Sequence, residues 1–176
     1  VRALPVGRRR PVIVTVTPNP SIDRTLRIGP LRRGAVQRAR AASAEAGGKG
    51  INVARAIAMH GRPALALVPL SDASAGVMRS LLGGAVDLAV VPVSGDVRVN
   101  VSLVEDDGSV TKVNEPGPEL SAPEVDALLE RAAALAAGAS WIAGCGALPP
   151  GVPSDFYVRL ARRMPDGVRV AVDADG

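Results

Sequence analysis

The sequence predicts an α/β protein: a doubly wound, mostly parallel sheet with a small β excursion inserted into it. Three observations carry that prediction. Runs of β-branched residues without clear alternation, such as Val12 to Thr17, suit strands buried on both faces of a parallel sheet. Between such runs lie stretches with apolar residues at helical spacing, and the alternation of the two is the pattern of a wound α/β sheet. Further segments alternate with a period of two and are rich in arginine and polar residues, which places them outside the main sheet.

The elements follow in order. Residues 1–11, with Arg8-Arg9-Arg10, read as a disordered basic tail. The strand from Val12 ends at Pro18-Asn19-Pro20, and Asp23 comes shortly after. A carboxylate beyond the C-terminal end of a parallel strand lies where open α/β sheets bind ligands, although Asp is equally at home in a turn or cap. Thr25–Ile28 and Val36–Ala41 are expected as exposed strands. A helix begins near Gly50, with Ile51, Ala54, Ile57, Ala58 and Gly61 at helical spacing. A strand over Ala64–Val68, a helix over Ser74–Leu82 and a strand over Asp87–Val93 come next. Val97–Val104 alternates, with Arg98, Asn100 and Ser102 on one face. Asp107-Gly108 signals a hairpin turn, and Val110–Val113 is the returning strand. These excursions are expected to form one small sheet standing off the main domain, a lid with segments 24–41 and 96–114. Ser121-Ala122-Pro123-Glu124 is a capping-box pattern. Its helix would bury Val125, Leu128, Leu129, Ala132 and Leu135 and stop near Gly138. A strand at Trp141–Ala143, a rigid loop to Gly151, a helix over Pro153–Met164 with Phe156 and Leu160 inward, and a strand at Val168–Val172 complete the reading.

Composition excludes several classes of function. At 176 residues, 47% hydrophobic and 22% charged, the chain is expected to form one globular domain. Aromatics are only 2%, so the core must be aliphatic, and stacking on nucleobases is not a mode open to it. The net charge of +4 is nearly all scattered arginine, Lys49 and Lys112 being the only lysines; that is no nucleic-acid footprint. Cys145 is the single cysteine, which rules out a disulfide framework and a paired-cysteine metal site. His60, also single, reads as a structural residue at a helix end. No apolar run approaches the ~18 residues of a membrane span, and Val12–Val16 is too short for a signal-peptide core. No membrane partner and a cytoplasmic location are the expectation.

The stretch from Ala46 to Arg55 (AGGKGINVAR) is the most informative. Glycines allow close backbone approach, and the first turn of a helix has free N–H groups that favour anions and polar oxygens. Lys49 adds a point charge there. Neither familiar glycine motif fits. A P-loop requires Ser or Thr after the lysine, where Gly50 stands, and a dinucleotide-binding fingerprint requires glycine where Val53 stands. On its own, the run is equally a tight turn before a core helix.

Four stretches in order, Thr17–Asp23 (TPNPSID), Gly47–Arg55 (GGKGINVAR), Asn114–Pro118 (NEPGP) and Leu148–Gly151 (LPPG), resemble the PfkB, or ribokinase-like, family of carbohydrate kinases. The resemblance is strongest to its 1-phosphofructokinase and tagatose-6-phosphate kinase branch and runs from about Val12 to Gly176. It implies a ribokinase-like fold, transfer of the ATP γ-phosphoryl group to a sugar phosphate with Mg²⁺, and a lid that often pairs two subunits into a homodimer. It also implies sugar-binding roles for Asp23, Gly47, Gly48 and Asn52, and lid roles for Arg38 and Arg98 with Asn100 beside it. The residue types agree. Asp23 and Asn52 suit vicinal hydroxyls, and Lys49, Arg38 and Arg98 suit a phosphate already on the sugar. Asp23, Gly47, Gly48, Lys49 and Asn52 are expected to converge on one pocket.

Departures from the family pattern bear on activity. Ala147 stands where the family usually has Ser, and Pro18 replaces a usual aliphatic residue. The family's Gly-Ala-Gly-Asp motif, which carries the catalytic base and phosphate-holding N–H groups, does not occur. The expectation is therefore the sugar-binding, N-terminal half of a 1-phosphofructokinase-like enzyme converting fructose 1-phosphate to fructose 1,6-bisphosphate. Its C-terminal half, with the base and most of the ATP and Mg²⁺ site, is missing, and the chain should not turn over ATP alone. The alternative is a non-catalytic homologue that binds a sugar phosphate or a partner subunit.

Overall fold

A computed structural model describes residues 12–174; the basic tail expected over 1–11 lies outside the described residues. The elements run β1 (Val12–Val16), β2 (Ser21–Arg27), β3 (Ala41–Gly47), α1 (Lys49–Met59), β4 (Ala64–Leu70), α2 (Asp72–Leu82) and β5 (Asp87–Pro92). They continue as β6 (Arg98–Val104), β7 (Val110–Asn114), α3 (Ala122–Ala136), β8 (Ala139–Cys145), α4 (Phe156–Arg162) and β9 (Arg169–Asp173). Five strands form one sheet in the order β5-β4-β1-β8-β9, every pairing parallel. The chain leaves β1 toward one edge and later returns to β1's other side at β8. The order therefore reverses between β1 and β8, the position at which open α/β sheets leave a crevice beyond their C-terminal ends.

Alternation along each strand divides the core in two. Val14 and Val16 of β1, Leu67 of β4, Val91 of β5 and Ile142 of β8 pack against α3 and α4, through Val125, Leu128, Leu129, Ala132, Phe156 and Leu160. Ala66 and Val68 pack on the other side against Ile51 and Ala54 of α1 and Ala75 and Met78 of α2. A strand sandwiched this way needs apolar residues on both faces, which is why β4 and β1 read as continuous hydrophobic runs. The helix faces agree with the spacing, except that Ala136 is fully buried and Leu135 only partly so. In α3 the Glu124 carboxylate accepts the Ser121 N–H at 2.7 Å, the reciprocal half of the expected capping box.

The remaining strands form a separate four-stranded sheet, β3-β2-β6-β7. β2 pairs antiparallel with β3 and parallel with β6, and β6 pairs antiparallel with β7. The Asp107-Gly108 turn closes the β6–β7 hairpin: the Glu105 N–H donates to Ser109 O at 2.9 Å, and the Ser109 N–H donates to Asp107 Oδ1 at 2.9 Å. One expectation is corrected here. Val36–Ala41 is not a strand; β3 is Ala41–Gly47, and residues 28–40 form a connection. Polar side chains define that connection. Gln37 Nε2 donates to Pro30 O at 2.7 Å, and Arg40 Nη1 donates to both Asp106 carboxylate oxygens at 2.8 and 2.9 Å. The β3 sequence, AASAEAG, has little intrinsic strand preference, and its strand form comes from seven consecutive pairings with β2. Among the described residues no helix is long and apolar enough to cross a membrane.

Candidate functional site

Several of the sequence-selected residues lie on the crevice side of the main sheet. β1 ends at Val16, and the chain turns through residues 17–20 directly into β2, carrying Asp23 across to the second sheet. Register places Asp23 beside Asn100 of β6 and Ser21 beside Arg98. The Asp23 Oδ1 atom accepts hydrogen bonds from Ser21 Oγ at 2.8 Å and Asn100 Nδ2 at 2.9 Å. The carboxylate lies over Gly47 at the end of β3, where any Cβ would overlap it. Gly48 follows with φ 117°, a backbone region that favours glycine, and serves as the N-cap of α1. Glycine is required here twice, once for space and once for conformation.

Arg98 is half-buried on the same face as Asp23. Its guanidinium donates to Glu115 O and to Asn19 O, each at 3.2 Å, while its buried Nε has no partner. Burial pulls the Arg98 pKa below its ordinary value, and the Asp23 charge opposes that fall. The Asn100 Oδ1 atom, also buried, has no partner. Beside them, Asp96, Arg98, Glu115 and the Pro116–Pro118 turn line an open cleft of about 340 Å³.

Lys49 opens α1, and its ammonium lies 3.3 Å from Asp173 Oδ1 at the end of β9. Its side chain also borders Gly146, beyond the end of β8, whose N–H donates to Asp173 O at 2.7 Å. Lys49 thus reaches across the β1–β8 reversal instead of toward Arg98. Asn52 is exposed on the first turns of α1. Arg38 is exposed in the β2–β3 connection, and among the described residues no hydrogen bond or ion pair ties it to Asp23 or Arg98. Cys145 is buried, and burial first, then the Asp173 charge, raises its thiol to about 11 against the pull of Lys49. Among the described residues no group of three or more His, Cys, Asp or Glu side chains is placed to hold a metal ion.

The structure thus joins Asp23, Gly47 and Asn100 by direct contact, sets Arg98 on the same face within reach of the Asp23 charge, sets Gly48 and Lys49 at the adjoining helix start, and leaves Arg38 apart. Ser21, Asn19 and Glu115, which the sequence reading gave no role, are part of the assembly. The signal for Ser21 was its position two residues from Asp23, which puts both side chains on one face of a strand.

Comparison with known proteins bears on the family and the fold. The profile of the pfkB family carbohydrate kinases matches residues 16–174. A 1-phosphofructokinase of Xanthomonas campestris pv. campestris is 37% identical over 167 residues, 93% of this chain and 52% of that protein. An ATP-dependent 6-phosphofructokinase isozyme 2 of Mycobacterium tuberculosis is 33% identical over 154 residues, 86% of this chain and 45% of that protein. The structure of phosphofructokinase-2 from Escherichia coli in complex with fructose-6-phosphate superimposes with a TM-score of 0.85 at 31% identity, covering 94% of this chain and 55% of that one. The chain spans about half the length of the curated relatives it matches. With the profile extending over nearly all the described residues, the chain belongs to the pfkB family of carbohydrate kinases.

Proposed function

We propose that this chain supplies the sugar-phosphate-binding part of an ATP-dependent kinase that phosphorylates a ketose phosphate, fructose 1-phosphate being the expected substrate. The observation that carries the reading is the Asp23 carboxylate, oriented by Ser21 and Asn100 over Gly47 beyond the end of β1. One Asp23 oxygen is occupied by those two donors, which leaves the other to accept from sugar hydroxyls. Gly47 lets the sugar and the carboxylate share the space a side chain would fill. The α1 N-terminus and Lys49 offer positive potential for the phosphate the sugar already carries, with Arg98, and Arg38 if its connection swings inward, as further candidates. Asn52, one turn into α1, is placed to add an amide to the hydroxyl contacts.

ATP would supply the phosphoryl group, and Mg²⁺ the charge neutralisation that such transfer uses. The part we assign to this chain is to bind and orient the acceptor. We also read the second sheet as a lid over the sugar. The face opposite Asp23 carries Ile22, Leu26, Val99, Val101 and Val113 around Arg24 and is the expected surface for pairing two copies. The test is turnover by the full-length protein with fructose 1-phosphate, fructose 6-phosphate and fructose at equal concentration. Phosphorylation of a fructose phosphate in clear preference to fructose supports the reading. Equal use of fructose, or turnover of none of the three, would falsify it.

A further inference from the structure

Two sequence motifs meet at a place that substrate binding does not explain. Asn19, in the turn between β1 and β2, and Glu115-Pro116-Gly117, in the connection from β7 to α3, are almost a hundred residues apart. The Asn19 Nδ2 group donates to Pro116 O at 2.9 Å across a separation of 97 positions. Its Oδ1 atom is buried against Gly117 without a hydrogen-bond partner. Gly117 has φ 96°, and a Cβ there would overlap that same oxygen. Arg98 binds both sides of the junction, through Asn19 O and Glu115 O. The Glu115 side chain in turn accepts the Val99 N–H at 2.7 Å. These bonds join the turn that delivers Asp23 to the strand that delivers Arg98 and Asn100.

An amide that is 5% exposed and whose carbonyl oxygen accepts no hydrogen bond costs more than an apolar residue of the same size would. Its single donated bond is therefore specific to this junction. We infer that Asn19 is a positioning residue: by holding the Glu115–Gly117 segment against the β1–β2 turn, it fixes Arg98 and Asn100 relative to Asp23. It touches no substrate and acts through those three. This inference rests on the proposed sugar-phosphate site and adds the residue that sets its geometry.

The test uses the full-length protein, its Asn19→Ala variant and its Asn19→Leu variant, which fills the space without a donor. Both variants should raise KM for the accepted fructose phosphate about three- to tenfold, the worth of one hydrogen bond, and leave KM for ATP unchanged. Unliganded amide exchange in residues 98–100 and 114–117 should quicken in both variants, while β1 and α3 stay protected. A wild-type sugar-phosphate KM in Asn19→Leu overturns the inference, because packing alone would then suffice. Equal loss for both substrates, or failure of both variants to fold, also overturns it by assigning Asn19 to general stability. Should the wild-type protein phosphorylate neither fructose phosphate, the proposed function fails and the exchange arm decides: quickening confined to those segments supports positioning, and unchanged exchange contradicts it.

Discussion

The two sheets are held together by different physics. The parallel sheet is buried on both faces under α1 and α2 on one side and α3 and α4 on the other, and its contacts are aliphatic. The second sheet joins that core only at one end, through Ala46 of β3 against α1 and α2, and residues 41–45 of β3 are exposed and alanine-rich. Its order comes from directed polar contacts: Asn100 to Asp23, Arg98 to two carbonyls, Glu115 to Val99, and Arg40 to Asp106. Apolar burial tolerates small displacement, whereas hydrogen bonds require defined positions. The difference places stability in one sheet and geometric definition in the other, which suits a site that borrows residues from both.

If that division holds, the largest effect on stability should come from the parallel sheet's core. Leu128→Ala or Phe156→Ala, each removing a side chain that is 0% exposed, should cost about 2–5 kcal/mol in urea unfolding. A comparable loss from any exposed residue of the second sheet would break the comparison. The next effect is on binding. Lys49→Ala should weaken binding of fructose 1-phosphate far more than of fructose, by the ~1.5–3 kcal/mol of a charge-assisted contact, measured by calorimetry on the full-length protein. Because Asp173 lies 3.3 Å from the same ammonium, Asp173→Asn should shift phosphate affinity the opposite way. Equal weakening of both ligands by Lys49→Ala would confine the lysine to supporting its loop.

A smaller effect is expected from pH. The Glu124 carboxyl is drawn down from its ordinary 4.5 to about 2 by hydrogen bonds from the Ser121 side chain and backbone and from the Ser94 backbone. A depressed folded-state pKa means that its contribution is whole above the ordinary value and is lost as pH falls through about 2. Unfolding measured across that window should show Glu124→Gln flattening the acid-side slope; an unchanged slope would remove Glu124 from the acid response. The smallest effect belongs to Arg40 and Asp106, whose side chains are 64% and 55% exposed. Arg40→Ala should cost no more than ~1 kcal/mol and less still at high salt.

How far the sequence could be read follows the same line between the two sheets. Strands and helices of the parallel sheet announce themselves locally, because burial on both faces demands runs such as Val12–Val16 and Ala64–Leu70. The Ser121 cap and the Asp107-Gly108 turn are equally local signals. β3 was not legible: nothing in AASAEAG specifies a strand until β2 lies beside it. The partners of site residues were hidden for a related reason. Asn19 meets Pro116 and Lys49 meets Asp173 over separations of 97 and 124 positions, and spacing along a chain says nothing about such pairs. Asp23 stands out in the sequence because it follows a buried strand, and the ends of such strands are where wound sheets bind ligands.

The central claim is that Asp23, presented by the second sheet at the crevice of the first, holds the sugar. Calorimetric binding of fructose 1-phosphate to the full-length protein and to its Asp23→Ala variant tests it directly. Loss of hydrogen bonds to a charged acceptor should lower affinity about 10- to 100-fold. Unchanged affinity in a folded Asp23→Ala protein would contradict the account.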